Sequence, residues 1–317
     1  MSYTKPKWLT GLALLAAGLG TLWAESINPP TMPQTAPMNK QEKKNLDMVL
    51  TWWREVIDAG HVDLAPKYQA EDYIQHNPNV PTGRAGFVEF FSRIRKPKPI
   101  AGKLENPPVV MGARGDYVWL IWERESKDPR DPGKTYHWNS FDVIRIQNGK
   151  VQEHWDSAQK MAGSGNVPTG VSPKPPMEWN TGNLNGREKQ TLALGTEELK
   201  NMLQYGHLEL ADKTMDPGYI QHNPNVPQGR DGFKQFMSRI PGRTPKPIET
   251  AWINPSVLTL VEGPYCLFMW DRMAKDPDDA SREYKWNHFD VVRAENGLIK
   301  EHWDEARINP PRGGGKR

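Results

Sequence analysis

The chain has 317 residues, 37% of them hydrophobic and 25% charged, with 27 Gly and 29 Pro. That excludes a disordered tail or a fibrous repeat, and the length suits two domains of ordinary size. The formal charge of +3 comes from 41 basic and 38 acidic residues, and it leaves no basic footprint for nucleic acid. A single cysteine, Cys266, excludes an internal disulfide framework, an iron–sulfur cluster and a multi-cysteine zinc site.

Lys5 and Lys7 precede an apolar stretch from Trp8 to Ala24 with only Thr10 and Thr21 as polar interruptions. This is the layout of a secretory signal over 1–24, with Ala24 as the last residue removed; an uncleaved anchor is the alternative. No later segment reads as a membrane span, so the mature protein is expected to be exported, periplasmic or secreted. The Pro-rich segment 25–38 and the tail 308–317 read as flexible.

Residues 73–94 read YIQHNPNVPTGRAGFVEFFSRI and residues 219–240 read YIQHNPNVPQGRDGFKQFMSRI. Further on, WNSFDVIRIQNGKVQEHWD (138–156) is matched by WNHFDVVRAENGLIKEHWD (286–304). The offset is 146 in the first block and 148 in the second, a period that means a duplicated domain rather than a solenoid unit. The boundaries are 39–160 and 186–307, joined by a Gly-, Pro- and Ser-rich linker over 161–185.

Within the first copy, Leu46, Val49, Leu50, Trp53, Val56 and Ile57 recur at helical spacing, predicting a helix over 40–58 that ends near Gly60. A helical turn over 64–68, a short strand over 73–76 and a helix carrying Phe87, Phe90, Phe91 and Ile94 follow. Strands are then predicted over 107–112, 116–125, 135–147 and 150–157, the last two joined at Asn148-Gly149. Helices first and antiparallel strands after give an α+β fold with helices on one face of the sheet. The opening helix of the second copy has Gly195 in place of Val49 and Glu198-Leu199 in place of Trp52-Trp53, so it is expected to be shorter or frayed, and the first pocket better walled.

The closing hairpin allows two registers. A strict two-residue turn sets Ile144 against Glu153 and Asp142 against Trp155, and leaves neither face cleanly apolar. A one-residue bulge before His154 sets Asp142 against Asp156 instead, with Asp290 and Asp304 as the second pair. Two carboxylates on one apolar wall push one pKa upward, which suits a general base near neutral pH.

The YIQHNP strand, the GRAGF helix start and the FDVIRIQNGKVQEHWD hairpin together resemble the SnoaL-like family, within the nuclear transport factor 2-like superfamily of cone-shaped α+β folds. The resemblance covers both copies. It implies a lyase or isomerase of the polyketide-cyclase type, performing aldol-type condensation on a small hydrophobic carbonyl compound with no metal or organic cofactor. It places the catalytic aspartate at Asp156 and Asp304, and polar pocket residues at Ser140 and His288, at Asp142 and Asp290, and near Gln75 or His76 and Gln221 or His222. A histidine stands at the position of Asp142 in the cyclase, and an aspartate there accepts rather than donates. Trp138 and Trp286, like Trp155 and Trp303, are expected in the core or lining the cup. His154 and His302 read as surface or structural, and His61 and His207 as capping or solvent-exposed. A set of His76, His154 and Asp156 could in principle hold a metal, but only under one register. Two other readings stay open: a non-catalytic small-molecule-binding protein, or an interaction protein whose copies form an intramolecular pseudo-dimer.

Overall fold

Two capping boxes open the two halves of the protein. Asn39 accepts from the Glu42 backbone while the Glu42 side chain reaches back, and Asn185 and Glu188 repeat the arrangement. The computed structural model describes residues 29–165 and 183–308; the predicted signal peptide, most of the linker and most of the tail lie outside the described residues. Among the described residues no helix is long and apolar enough to cross a membrane.

In the first domain α1 (Lys40–Trp52) runs on as a π-helical segment (Trp53–Asp58), and α2 (Ala65–Tyr68), β2 (Gln69–Gln75) and α3 (Arg84–Ile94) follow. Strands β3 (Val110–Arg114), β4 (Tyr117–Asp128), β5 (Asp131–Gln147) and β6 (Lys150–Asp156) complete it. The second domain repeats this order with α4 (Gly186–Thr196), a π-helical segment (Glu197–Gln204), α5 (Ala211–Thr214), β7 (Met215–Gln221), α6 (Gly229–Ser238) and β8 to β11 (Leu258–Glu262, Tyr265–Asp276, Asp279–Glu295, Leu298–Asp304). With β1 (Gln34–Thr35) at one edge, the sheets are ordered β1-β3-β4-β5-β6-β2 and β7-β11-β10-β9-β8, mostly antiparallel, with β2 and β7 parallel to β6 and β11. The architecture is two cone-shaped α+β domains in tandem.

The opening helix of the second domain is neither shorter nor frayed. Gly195 is accommodated because the Phe268 ring fills the space where Leu120 stands in the first domain; a Cβ on Gly195 would lie 3.0 Å from that ring. Volume moved from helix to sheet, so the core stays filled.

The Pro-rich segment is likewise not a flexible end over its described part. Residues 34–35 form β1, parallel to β3, and Ala36 is buried. Gln34 accepts from the Tyr265 hydroxyl at 2.6 Å and Thr31 bonds the His222 ring at 3.1 Å, so the segment straps both domains. Proline tolerates this because an edge strand leaves its missing N–H facing outward.

Each sheet packs its helices on one face. The opposite faces meet in a shared core of Trp119, Ile121, Phe141, Val143 and Trp155 with Leu260, Leu267, Phe289, Val291 and Trp303. Phe141 and Phe289, equivalent across the repeat, stack with centroids 5.4 Å apart. Both faces of β4 are therefore covered, which explains its unbroken YVWLIW run. Trp155 and Trp303 belong to this seam and not to the cup.

One acid is caught in the seam. Glu262 is buried beside Trp119 and the side-chain-free Gly112, receives the Trp119 indole N–H at 3.3 Å, and keeps one oxygen without a partner among the described residues. Burial, followed by the charge of Glu42, pushes its pKa up from 4.5 to about 9. A raised folded-state pKa means the stabilisation is complete below about pH 4.5 and is lost as pH climbs toward 9. Glu262→Gln is expected to raise stability at pH 9 by about 1–3 kcal/mol and to flatten the pH dependence. Thermal unfolding at pH 5 and pH 9 checks this; equal pH dependence in the variant and the parent contradicts it.

Candidate active site

The closing hairpin takes the bulged register. Pairing passes from Arg145↔Glu153 to Ile146↔Val151, so Gln152 is the extra residue, and Asp142 lies opposite Asp156. Lys300 plays the same part in the second domain, setting Asp290 opposite Asp304. The bulge turns His154 and Asp156 toward the helices and sends Glu153 and Trp155 into the seam. The strict-turn faces mixed polar and apolar residues because that register is one residue out.

Under the first sheet lies a cavity of about 370 Å³ with apolar walls of Trp52, Trp53, Ile57, Val80, Phe87 and Phe91. Its polar floor is Gln75, Asp142, His154 and Asp156, and Trp138, Ser140, Arg124 and Arg307 also line it. Trp52 and Trp53 both reach the cavity where α1 widens into its π-helical continuation, a distortion frequent at functional sites.

His154 is the centre of the floor. Its Nε2 lies 2.6 Å from Asp142 Oδ1 and its Nδ1 3.1 Å from Gln75 Oε1. Gln75 Oε1 also accepts the Asn77 backbone N–H at 2.9 Å, which fixes the amide orientation, so Oε1 can only accept from the ring. With acceptors at both nitrogens, the network assigns His154 a proton on each, an imidazolium against the Asp142 carboxylate. Burial pulls its pKa down, but the hydrogen bond and charge of Asp142 and the charge of Asp156 outweigh it, and the net direction is up. The second oxygen of Asp142 takes the Trp122 indole N–H at 2.6 Å.

Asp156 is held by the Asn77 side-chain N–H at 2.7 Å and the Ala158 backbone N–H at 2.9 Å. Burial raises its pKa and the neighbouring Asp142 adds to that, against the opposing pull of His154; the net direction is up. It is a partly desolvated carboxylate with its geometry fixed, facing a chamber with apolar walls. That arrangement can take a proton from carbon.

Of the residues singled out in the sequence, Gln75, Trp138, Ser140, Asp142 and Asp156 do line one cavity. His76 does not. It is buried on the opposite face, bonded to Glu153 at 2.9 Å and stacked on Trp155 at 4.8 Å. His222 repeats this with Glu301 and Trp303. Successive strand residues alternate faces, so Gln75 and His76 cannot both look into the cup. The metal set built on His76 fails for the same reason. Asp142, His154 and Asp156 do bring one ligand atom each within 4.8 Å of one another, as do Asp290, His302 and Asp304. A cation there would have to replace the His154–Asp142 hydrogen bond.

Sequence reasoning missed several groups. His154 and His302 read as surface or structural and are instead buried at the centres; the bulge was the hidden variable. Asn77, which anchors Asp156, and its counterpart Asn223, which bonds Asp304 at 2.9 Å, were visible as a duplicated HNP motif. His61 and His207, read as capping or solvent-exposed, donate to the Lys98 and Lys246 carbonyls.

The second centre differs. Glu198, at the position of Trp52, is fully buried; it accepts from Tyr219 at 2.9 Å and holds His302 Nδ1 at 2.8 Å. Gln221 donates to Tyr219 at 3.0 Å. Asp290 stands between His302 and His288, at 3.2 and 3.1 Å, and His288 also bonds Glu305. Burial opposes charge on Asp290, but the two imidazoliums outweigh it and hold its pKa far below the carboxylate range, while both histidines are raised. Trp286 lies edge-on to His288. Carboxylates and imidazoliums here pair with one another.

Residues 47–164 match the family model described as SnoaL-like polyketide cyclase. The match spans most of the first domain, which is similar to this family. The second shares its fold, with the same element order and the same hairpin. No functionally curated protein matches the chain. Solved structures similar to it include two titled "putative polyketide cyclase" or "Putative SnoaL-like polyketide cyclase". The one from Acidithiobacillus ferrooxidans has 22% identity over 38% of this chain and 89% of its own, TM-score 0.26. The one from Jannaschia sp. CCS1 has 18% identity over 38% and 88%, TM-score 0.29. A LEH-like epoxide hydrolase from M. tuberculosis has 12% identity over 37% and 83%, TM-score 0.27.

Proposed function

We propose that the SnoaL-like first domain is a cofactor-independent acid/base catalyst for a small hydrophobic carbonyl compound. The observation that carries this is Asp156, a half-buried carboxylate of raised pKa, fixed by two hydrogen bonds on the wall of a largely apolar cavity. Asp156 removes the proton α to the carbonyl. Ser140, whose oxygen accepts from Arg124 Nε at 2.9 Å, keeps its own hydroxyl hydrogen to donate to the developing enolate oxygen. The enolate attacks a second carbonyl of the same molecule or is reprotonated at another carbon, giving cyclisation or isomerisation. The proton on Asp156 returns to the alkoxide or to carbon, and the base is regenerated. The His154 imidazolium balances the charge of Asp142 beside this base.

The second domain we read as a non-catalytic partner, because Glu198 occupies the position of a pocket tryptophan and ties up His302. The two domains then act as an intramolecular pseudo-dimer joined through their sheets, in a protein exported by its N-terminal leader.

The test is deuterium incorporation at the α-carbons of bicyclic ketones, headed by 2-tetralone, in D₂O followed by NMR. Acceleration above the rate with an equal concentration of acetate and imidazole is expected; no acceleration across the ketones overturns the reading. The same assay is expected to give a bell in pH. Activity rises as Asp156 loses its proton above the ordinary carboxylate range, and falls as His154 loses its own above the ordinary imidazole range. Asp142→Asn removes the carboxylate that raises His154 most and leaves Asp156, so the alkaline limb moves to lower pH; an unmoved limb contradicts this assignment.

A further inference from the structure

We infer that the mouth of the first pocket is a subsite for an anionic group, completed by Arg307 from the second domain, so that the ligand is a hydrophobic carbonyl compound bearing a carboxylate. This deepens the reading above and rests on it for the ligand being a carbonyl compound.

Three observations converge on Trp138. Arg124 stands directly opposite it in the β4–β5 ladder and lines the cavity with Trp138, Ser140 and Asp142. The Arg307 guanidinium lies over the Trp138 ring, 4.0 Å from its centroid, although Arg307 follows β11 at the far end of the other domain. Both arginines line the cavity. Arg124 meets the Ser140 hydroxyl and the Trp122 ring, and among the described residues neither guanidinium pairs with a carboxylate.

Elsewhere the protein pairs its arginines readily: Arg114 with Glu188, Arg145 with Glu153, Arg293 with Glu301. Two arginines beside one ring, neither paired with a carboxylate among the described residues, offer a planar forked donor set that matches a carboxylate. The polarity of the pocket gives the orientation. Acids lie at its floor and repel an anion, so the charged end of a ligand stays by the arginines while its apolar body and carbonyl reach Asp156. The repeat supplies a contrast: Gln159 takes the place of Arg307 in HWDSAQK against HWDEARI, so the second domain lacks the completing charge.

The experiment compares 2-naphthylacetate with its isosteric neutral amide by calorimetric titration of the full chain. The parent protein is expected to prefer the carboxylate by about tenfold. Arg307→Met is expected to reduce that preference to within about threefold while leaving the affinity for the amide unchanged. Equal binding of the two probes by the parent, binding of neither, or a preference retained in Arg307→Met overturns the proposal. Asp156→Asn is expected to keep the preference. Loss of deuterium exchange with an intact preference in the parent therefore counts against the acid/base reading alone, and the converse against the subsite alone.

Discussion

Replacing Asp156 by Asn is expected to cut α-proton exchange by about 10²–10⁴-fold, the range for losing a positioned general base. The amide keeps the shape of the carboxylate and one oxygen to accept from Asn77 or Ala158, so the fold and the affinity for ligand are expected to survive. Asp304→Asn, at the equivalent place, is expected to change the rate by less than about twofold, because the second centre is closed around Glu198, His302 and Asp290. The asymmetry is the informative part. Two equal losses mean that both centres turn over, and no loss in Asp156→Asn removes the proposed base.

The second large effect is on stability. Phe289→Ala is expected to cost about 3–5 kcal/mol, the range for deleting a buried aromatic ring from a packed core. Phe289 is fully buried and stacks on Phe141, its own repeat equivalent, where the two sheets meet. The sheets close on each other there, so the cavity can collapse little. Met273→Ala, at a side chain 59% exposed, is the control and is expected to stay within about 0.5 kcal/mol. Denaturant titration of both variants decides it; a loss below about 1 kcal/mol for Phe289→Ala means the sheets do not depend on each other.

Much of this molecule was legible in the sequence because the chain states it twice. Helical periodicity and the two Asn-Gly turns located the helices and the closing hairpin, and the resemblance picked out Asp156. The register was legible only as a choice between two, since a single extra residue such as Gln152 has no compositional mark, and that choice decides every face. With the wrong face, His154 reads as a surface residue and Trp155 as a cup wall. His76 was drawn toward the pocket by its neighbour Gln75, though strand alternation separates them. The seam was hidden for a different reason. A strand buried on both faces loses its alternation, so YVWLIW shows that β4 is covered without showing by what. Glu198 was noticed as a departure from Trp52, and its consequence, a carboxylate locked onto His302, needed the tertiary contact. Arg307 lies 169 residues from Trp138 in the numbering, and no local pattern links them.

Nitrogen-15 NMR of the histidine side chains across pH, with His154→Gln to assign the signal, addresses the centre of the site most directly. The clamped geometry predicts that His154 carries protons on both ring nitrogens at pH 7, loses one only above the ordinary imidazole range, and titrates lower in Asp142→Asn. A His154 that is neutral at pH 7, with a single ring N–H, contradicts the ion pair on which the proposed poise of Asp156 depends.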